Sequence, residues 1–125
     1  MSAQPFEISE VGGLPIVAGP EEIDIRNAGE LRSALLTAGA TSPVVVVDLS
    51  DTEFCDSSGL NVLVRALKRA QADGGEVRLV ATRPAVLRIL GVTGIGSMFR
   101  VHANLDEALA HKASDAGSSQ VSAQC

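Results

Sequence analysis

The chain has 125 residues, the length of one domain, and 46% of them are hydrophobic, enough to build a core. Its net charge is −5 and it has neither Trp nor Tyr, so both the cations that neutralise phosphates and the rings that stack on bases are scarce. That argues against a nucleic-acid partner. No run approaches the roughly 18 apolar residues of a membrane span, and Glu7, Glu10 and Gly12-Gly13 break any signal-peptide pattern. The expectation is a cytoplasmic protein with no membrane partner. Cys55 falls in the expected interior and Cys125 in a polar tail, so no disulfide framework is expected.

After a loose start, Phe6, Ile8 and Val11 alternate with polar residues as an exposed strand does. Gly12-Gly13 predicts a hairpin turn into a second strand with Leu14, Ile16 and Val17. Pro15 fits a central strand badly, so this strand is expected to start after it or to lie at an edge. Gly19-Pro20 ends it, and Glu21-Glu22-Ile23-Asp24 reads as an acidic loop. Asn27 with Glu30 three residues later resembles a capping box. Leu31, Ala34, Leu35 and Ala38 then recur at helical spacing, with Gly39 expected to end the first helix.

Residues 44–49 are apolar on both faces, the mark of a buried parallel strand. Leu60, Leu63, Val64 and Leu67 define a second helix that runs to about Asp73 and stops at Gly74-Gly75. Val77, Leu79 and Ala81, alternating with Arg78 and Val80, form the next strand. Thr82 is the expected cap of a third helix, with Pro84 in its first turn and Gly91 closing it. Gly94, Gly96 and Ser97 read as a flexible connection. Phe99 and Val101 suggest a short last strand, and Asn104 caps a final helix carrying Leu105, Ala108 and Leu109. Residues 114–125 are small and polar, and are expected to be a disordered tail after a single domain over 1–113. Strands alternating with helices give an α/β fold: a small mixed sheet, an initial hairpin followed by parallel strands, packed with about four helices.

The chemistry converges on Cys55-Asp56-Ser57-Ser58-Gly59, at the start of the second helix. The first N–H groups of a helix have no internal partner and, with the helix dipole, favour negative charge, phosphate included. A serine there can be a cap, a nucleophile or a phosphate acceptor. The nucleophile elbow G-x-S-x-G is absent, and nothing marks either histidine, His102 or His111, as a base. Cys55 beside a helix N-terminus could be an activated thiol, but a small core residue is the plainer reading. No Cys/His cluster has metal-ligand spacing. The Gly91, Gly94 and Gly96 spacing does not match G-x-G-x-x-G and follows a helix. The Glu21, Glu22 and Asp24 group is first a solvated loop. Asn61, Arg65 and Lys68 form a polar stripe leading away from the serines. A phosphate on Ser57 would add about −1.5 to −2 charges.

Phe54-Cys55-Asp56-Ser57-Ser58-Gly59-Leu60, a strand end opening a helix, resembles the STAS-domain anti-sigma factor antagonists of bacteria. The likeness extends to Glu22-Ile23-Asp24 before the first helix and to Gly74-Gly75-Glu76-Val77. It continues through residues 84–90 with Thr93-Gly94, and through Leu105-Asp106-Glu107-Ala108-Leu109, covering roughly residues 6–112. The resemblance implies a STAS fold and a regulatory binding protein rather than an enzyme, with no cofactor of its own. It implies that the unphosphorylated form binds an anti-sigma factor that is also a serine kinase, freeing a sigma factor. The kinase, using the ATP it binds, would phosphorylate Ser57, and a PP2C-type phosphatase would reset it. Asp56 would shape the site and Ser58 would be a neighbouring contact or cap. The partner surface would comprise Asp24, Asp56, Ser57, Ser58, Gly59, Asn61 and Arg65. Weak self-association is compatible with this reading. The sequence departs from the family at Gly19-Pro20-Glu21-Glu22-Ile23-Asp24, where the family has Gly directly before Glu-Leu-Asp, so this loop is longer or shifted. A phosphorylation-independent STAS module of a larger regulatory or transporter complex is the alternative, and a small Ser- or Cys-dependent hydrolase is a third reading.

Overall fold

The computed structural model describes residues 6–110, and the expectations for residues 1–5, His111, the 114–125 tail and Cys125 lie outside them. The strands are β1 (Glu7–Val11), β2 (Leu14–Ala18), β3 (Glu22–Ile23), β4 (Val44–Asp48), β5 (Phe54–Cys55), β6 (Glu76–Val80) and β7 (Arg100–His102). The helices are α1 (Ala28–Thr41), α2 (Ser57–Ala72), α3 (Pro84–Thr93) and α4 (Leu105–Ala110). Five strands form one sheet in the order β1-β2-β4-β6-β7. Only the β1–β2 pair is antiparallel; the others are parallel. This is the mixed α/β sheet expected from the pattern.

Alternation along the strands sorts the core into two layers, because successive side chains point to opposite faces. Val17, Val45, Val47, Val77 and Leu79 face Leu31, Leu35, Leu63 and Leu67 of α1 and α2. Ile16, Val46 and Val80 face the other way, against Ala108 of α4. Val44, Val45, Val46 and Val47 are all buried, on both sides of the sheet, for this reason.

The hairpin turns on Gly12 and Gly13, at φ +63° and +85°. Positive φ at both turn residues matches the twist of paired strands, and glycine adopts it without strain. Pro15 lies inside β2, not outside it, and β2 is an interior strand. Two facts reconcile this. Val11 pairs with Leu14 at the turn, so by alternation Glu10–Pro15 is a non-hydrogen-bonded pair. The missing N–H of Pro15 therefore points toward β4, whose pairing with β2 begins one residue later at Ile16.

Several boundaries differ from the sequence reading. The acidic stretch is not all loop: Glu22–Ile23 pairs in parallel with Phe54–Cys55. Asn27 precedes α1 but forms no side-chain cap. Its carbonyl oxygen accepts from the Asp24 N–H at 3.0 Å and its amide donates to the Glu22 carbonyl at 2.9 Å, so it braces the preceding turn instead. Gly39 lies within α1, which stops at Thr41 because Ser42, the residue before Pro43, is pushed to extended backbone, φ −155°. Arg83, not Thr82, precedes α3, and the helix continues through Gly91 to Gly94 at φ +76°. The expected flexible connection contains a 3-10 turn, Ile95–Met98, in which the Ser97 hydroxyl donates to the Gly94 carbonyl at 2.7 Å. Asn104 does act as a cap, accepting from the Glu107 N–H at 2.9 Å.

Arg78 is wholly buried, although alternation within β6 alone would place it on a polar face. The α4 helix covers that face. The guanidinium donates to Glu76 Oε2 at 2.5 Å and to the Ala108 carbonyl at 2.6 Å. Removing this side chain would leave a cavity under α4 and take from the Ala108 carbonyl its Arg78 donor. Arg78→Ala is expected to destabilise the fold by about 3 kcal/mol, read as a lower urea midpoint. A loss below about 1 kcal/mol would mean that the pair matters little, as surface pairs do.

Candidate functional site

The site is built where two short strands deliver their ends to the first turn of α2. Because β3 and β5 run parallel, Asp24 leaves β3 on the same side as Asp56 and Ser57 leave β5. The Asp56 N–H donates to the Ile23 carbonyl at 3.0 Å and locks the two together. The loop before β3 is anchored as well. Thr52 Oγ1 donates to the Pro20 carbonyl at 2.7 Å, and the Glu53 N–H donates to the Glu21 carbonyl at 2.7 Å.

Asp56 caps α2. Its Oδ1 accepts from the N–H groups of Ser58 at 2.8 Å and Gly59 at 3.3 Å. It thereby satisfies two of the donors that a helix start leaves open. Neither serine is needed for that task. Ser57 is the first helical residue and is exposed; Ser58 is half-buried. Among the described residues no group hydrogen-bonds to the Ser57 hydroxyl, so no base is positioned on it.

Gly59 is buried because α2 lands directly on the strands. A Cβ there would stand 2.6 Å from Ile23 Cγ2 and 2.8 Å from Cys55 Sγ. Both neighbours are buried, so they have no room to yield. The glycine of the motif is thus a packing requirement.

Cys55 is buried under the same turn, and burial, followed by the charge of Asp56, pushes its thiol up to about 12. Desolvation outweighs the helix N-terminus that could have activated it. Asp24 is held below the usual carboxylate range by the Arg26 side chain, whose Nη2 lies 2.7 Å from Oδ2. The Arg26 N–H also donates to Asp24 Oδ1 at 2.9 Å. Asn61 and Arg65 are exposed one and two turns further along α2.

Two exposed apolar residues were not among those that the sequence assigned to the partner surface. Ile25 is 75% exposed and Phe54 is 48% exposed. Both lie on the β3–β5 unit or directly after it, beside the serine turn. Large exposed apolar side chains mark contact surfaces when they cluster. The available signal was an apolar residue isolated among charges, which becomes informative only once β3 and β5 are paired. Among the described residues no group of three or more His, Cys, Asp or Glu could hold a metal ion, and no helix is long and apolar enough to cross a membrane.

A model of the STAS domain matches residues 5–108. The chain belongs to the STAS-domain family. It is 32% identical over 97 residues to the anti-sigma-F factor antagonist RsfA of Mycobacterium tuberculosis, covering 75% of this chain and 76% of that one. It is 28% identical over 82 residues to the anti-sigma-B factor antagonist of Bacillus subtilis, covering 66% and 75%. The crystal structure of an anti-sigma factor antagonist from Mycobacterium paratuberculosis superposes with a TM-score of 0.75 at 31% identity, covering 88% of this chain and 97% of that one. The fold is therefore that of the STAS antagonists, and the β3–β5 unit with the first turn of α2 is the part that carries the motif.

Two measurements test this geometry. Asp56→Ala is expected to lose about 1 kcal/mol of stability, the usual value of such a cap, in urea unfolding followed by circular dichroism. No change would show that the carboxylate is not bonded to the helix start in solution. Iodoacetamide at pH 8 should leave Cys55 unmodified in the native protein and alkylate it in urea, read by peptide mass spectrometry. Rapid native labelling would contradict the burial and the raised pKa.

Proposed function

We propose that the protein is an anti-sigma factor antagonist regulated by phosphorylation of Ser57. In this reading the unphosphorylated form binds an anti-sigma factor that is also a serine kinase, and so releases a sigma factor. The kinase supplies ATP and phosphorylates Ser57; a PP2C-type phosphatase removes the phosphate. The observation that carries the reading is the exposed Ser57 hydroxyl, left unengaged among the described residues because Asp56 has taken over the cap.

A phosphate at this position adds about −1.5 to −2 charges and three acceptor oxygens. The helix dipole favours it, and water reaches it, so the fold can persist. A partner covering the same surface would have to desolvate a dianion placed next to the Asp56 carboxylate. A loss of about 2.7 kcal/mol is a hundredfold in affinity. One modification can then switch binding without moving the backbone. Ser58 and Gly59 would lie under the same partner. Asp24, fixed by Arg26, and the exposed Ile25 and Phe54 would frame the contact. Asn61 and Arg65 would extend it along α2.

Calorimetric titration of the cognate anti-sigma kinase tests the proposal. Ser57→Ala should bind whether or not ATP is present, and Ser57→Asp should bind at least tenfold more weakly. Wild-type protein incubated with kinase and ATP should carry phosphate on Ser57. Equal binding by both variants, together with no phosphate on the wild type, would sink the reading.

A further inference from the structure

A second surface lies between α1 and α2, beyond the serine turn. It is an open groove of about 490 Å³. Its floor is apolar: Leu35, Val45, Val62, Ala66 and Val77 line it, and the half-exposed Leu36 stands at its side. Its rim is basic. Arg32 projects from α1, and Arg65, Lys68 and Arg69 from α2; one carboxylate, Asp73, stands at the far end.

The distribution of cations is not what a net charge of −5 leads one to expect. Among the described residues, Arg26, Arg78, Arg83 and Arg100 sit in ion pairs with Glu22, Asp24, Glu53 or Glu76. Arg32, Arg65, Lys68, Arg69 and Arg88 have no ion pair among those residues. Four of these five line the one groove. Solvated lysines and arginines are ordinary singly; four uncompensated ones around an apolar floor form a complementary surface for an anionic amphiphile.

We propose that this groove docks an acidic amphipathic helix of another protein, with aliphatic residues on one face flanked by Glu or Asp. The spread of the charges selects this occupant. The lining residues run from Arg32 to Ser42 along α1 and its C-cap and from Val62 to Asp73 along α2 and its C-cap, about 15 Å in each case, so the groove is long enough for two to three turns of a guest. The cations occur on both walls and at successive turns. A fatty acid presents one carboxylate and would leave most of them unmatched, whereas a helix with carboxylates at i, i+3 and i+4 meets several while its leucines cover the floor. Arg65 lies about 12 Å along α2 from Ser57. Most of the groove is therefore separate from the serine turn, and the proposal does not depend on the phosphorylation reading.

The test uses the full chain and a fluorescent 14-residue peptide with leucines at i, i+3, i+4 and i+7 and glutamates on both flanks. Controls are its scrambled sequence, the same peptide with lysines for glutamates, and dodecanoate as competitor. By anisotropy, the acidic amphipathic peptide should bind. Affinity should fall at least tenfold in the Arg65→Ala/Lys68→Ala/Arg69→Ala triple variant, whose changes are all at exposed positions. It should stay unchanged in Arg88→Ala and in Ser57→Asp. Amide resonances of Leu35, Val62 and Ala66 should shift on titration. Equal binding of the scrambled peptide would overturn the proposal. So would an equal loss in Arg88→Ala, or displacement by dodecanoate of a probe that does not perturb those resonances. Binding of dodecanoate alone, with no peptide bound, would assign the groove to a lipid and overturn the proposal too.

Discussion

The architecture around the serine turn depends on the close contact of Gly59 with Ile23 and Cys55. A side chain at that position would stand 2.6 Å and 2.8 Å from buried atoms of those residues. The missing Cβ lets the first turn of α2 lie flat on β3 and β5. That contact, with the Asp56 N–H bound to the Ile23 carbonyl, brings the loop before α1 next to the loop before α2. Two segments more than thirty residues apart in sequence thus present one surface.

Charge is divided along α2. At its N-terminus a carboxylate cap satisfies the open N–H groups and leaves a hydroxyl in water, where the helix dipole tolerates further negative charge. Further on, the helix carries Arg65, Lys68 and Arg69 on one side of an apolar groove. Among the described residues the basic side chains outside this groove, apart from Arg88, are tied to carboxylates, as Arg26 is to Asp24 and Arg78 to Glu76. Arg78 has the most demanding position of these. It is buried on the face that α4 covers, and its guanidinium also takes the carbonyl near the end of that helix, where the dipole favours a cation.

Much of this could be read from local pattern. The β4 run, the α2 stripe of Leu60, Leu63 and Leu67 and the Gly12-Gly13 turn are each set by neighbours within a few residues, and all are present. The motif Asp56-Ser57-Ser58-Gly59 was legible as a helix start for the same reason. The strands β3 and β5 were not, because two residues contain no period to detect. Asn27 looked like a cap because its type and spacing suit one, but the competing partners Asp24 and Glu22 are supplied by the turn before it. Gly39 and Gly91 suggested helix ends, yet an exposed glycine inside a helix costs only about 1 kcal/mol, and packing on either side outweighs that.

By itself, the sequence determined the α/β class, the family and the identity of the serine that opens α2, since these rest on short-range periodicity and a contiguous motif. Tertiary structure decided what those residues are free to do. Pairing of β3 with β5 brought the segment that follows β3, with Asp24 and Ile25, alongside the segment that opens α2, and burial pushed the Cys55 thiol up despite its place at a helix start. The packing of α1 against α2 gathered cations from both helices around one groove. Desolvation and the meeting of distant segments depend on the whole fold, and no window of neighbouring residues contains them.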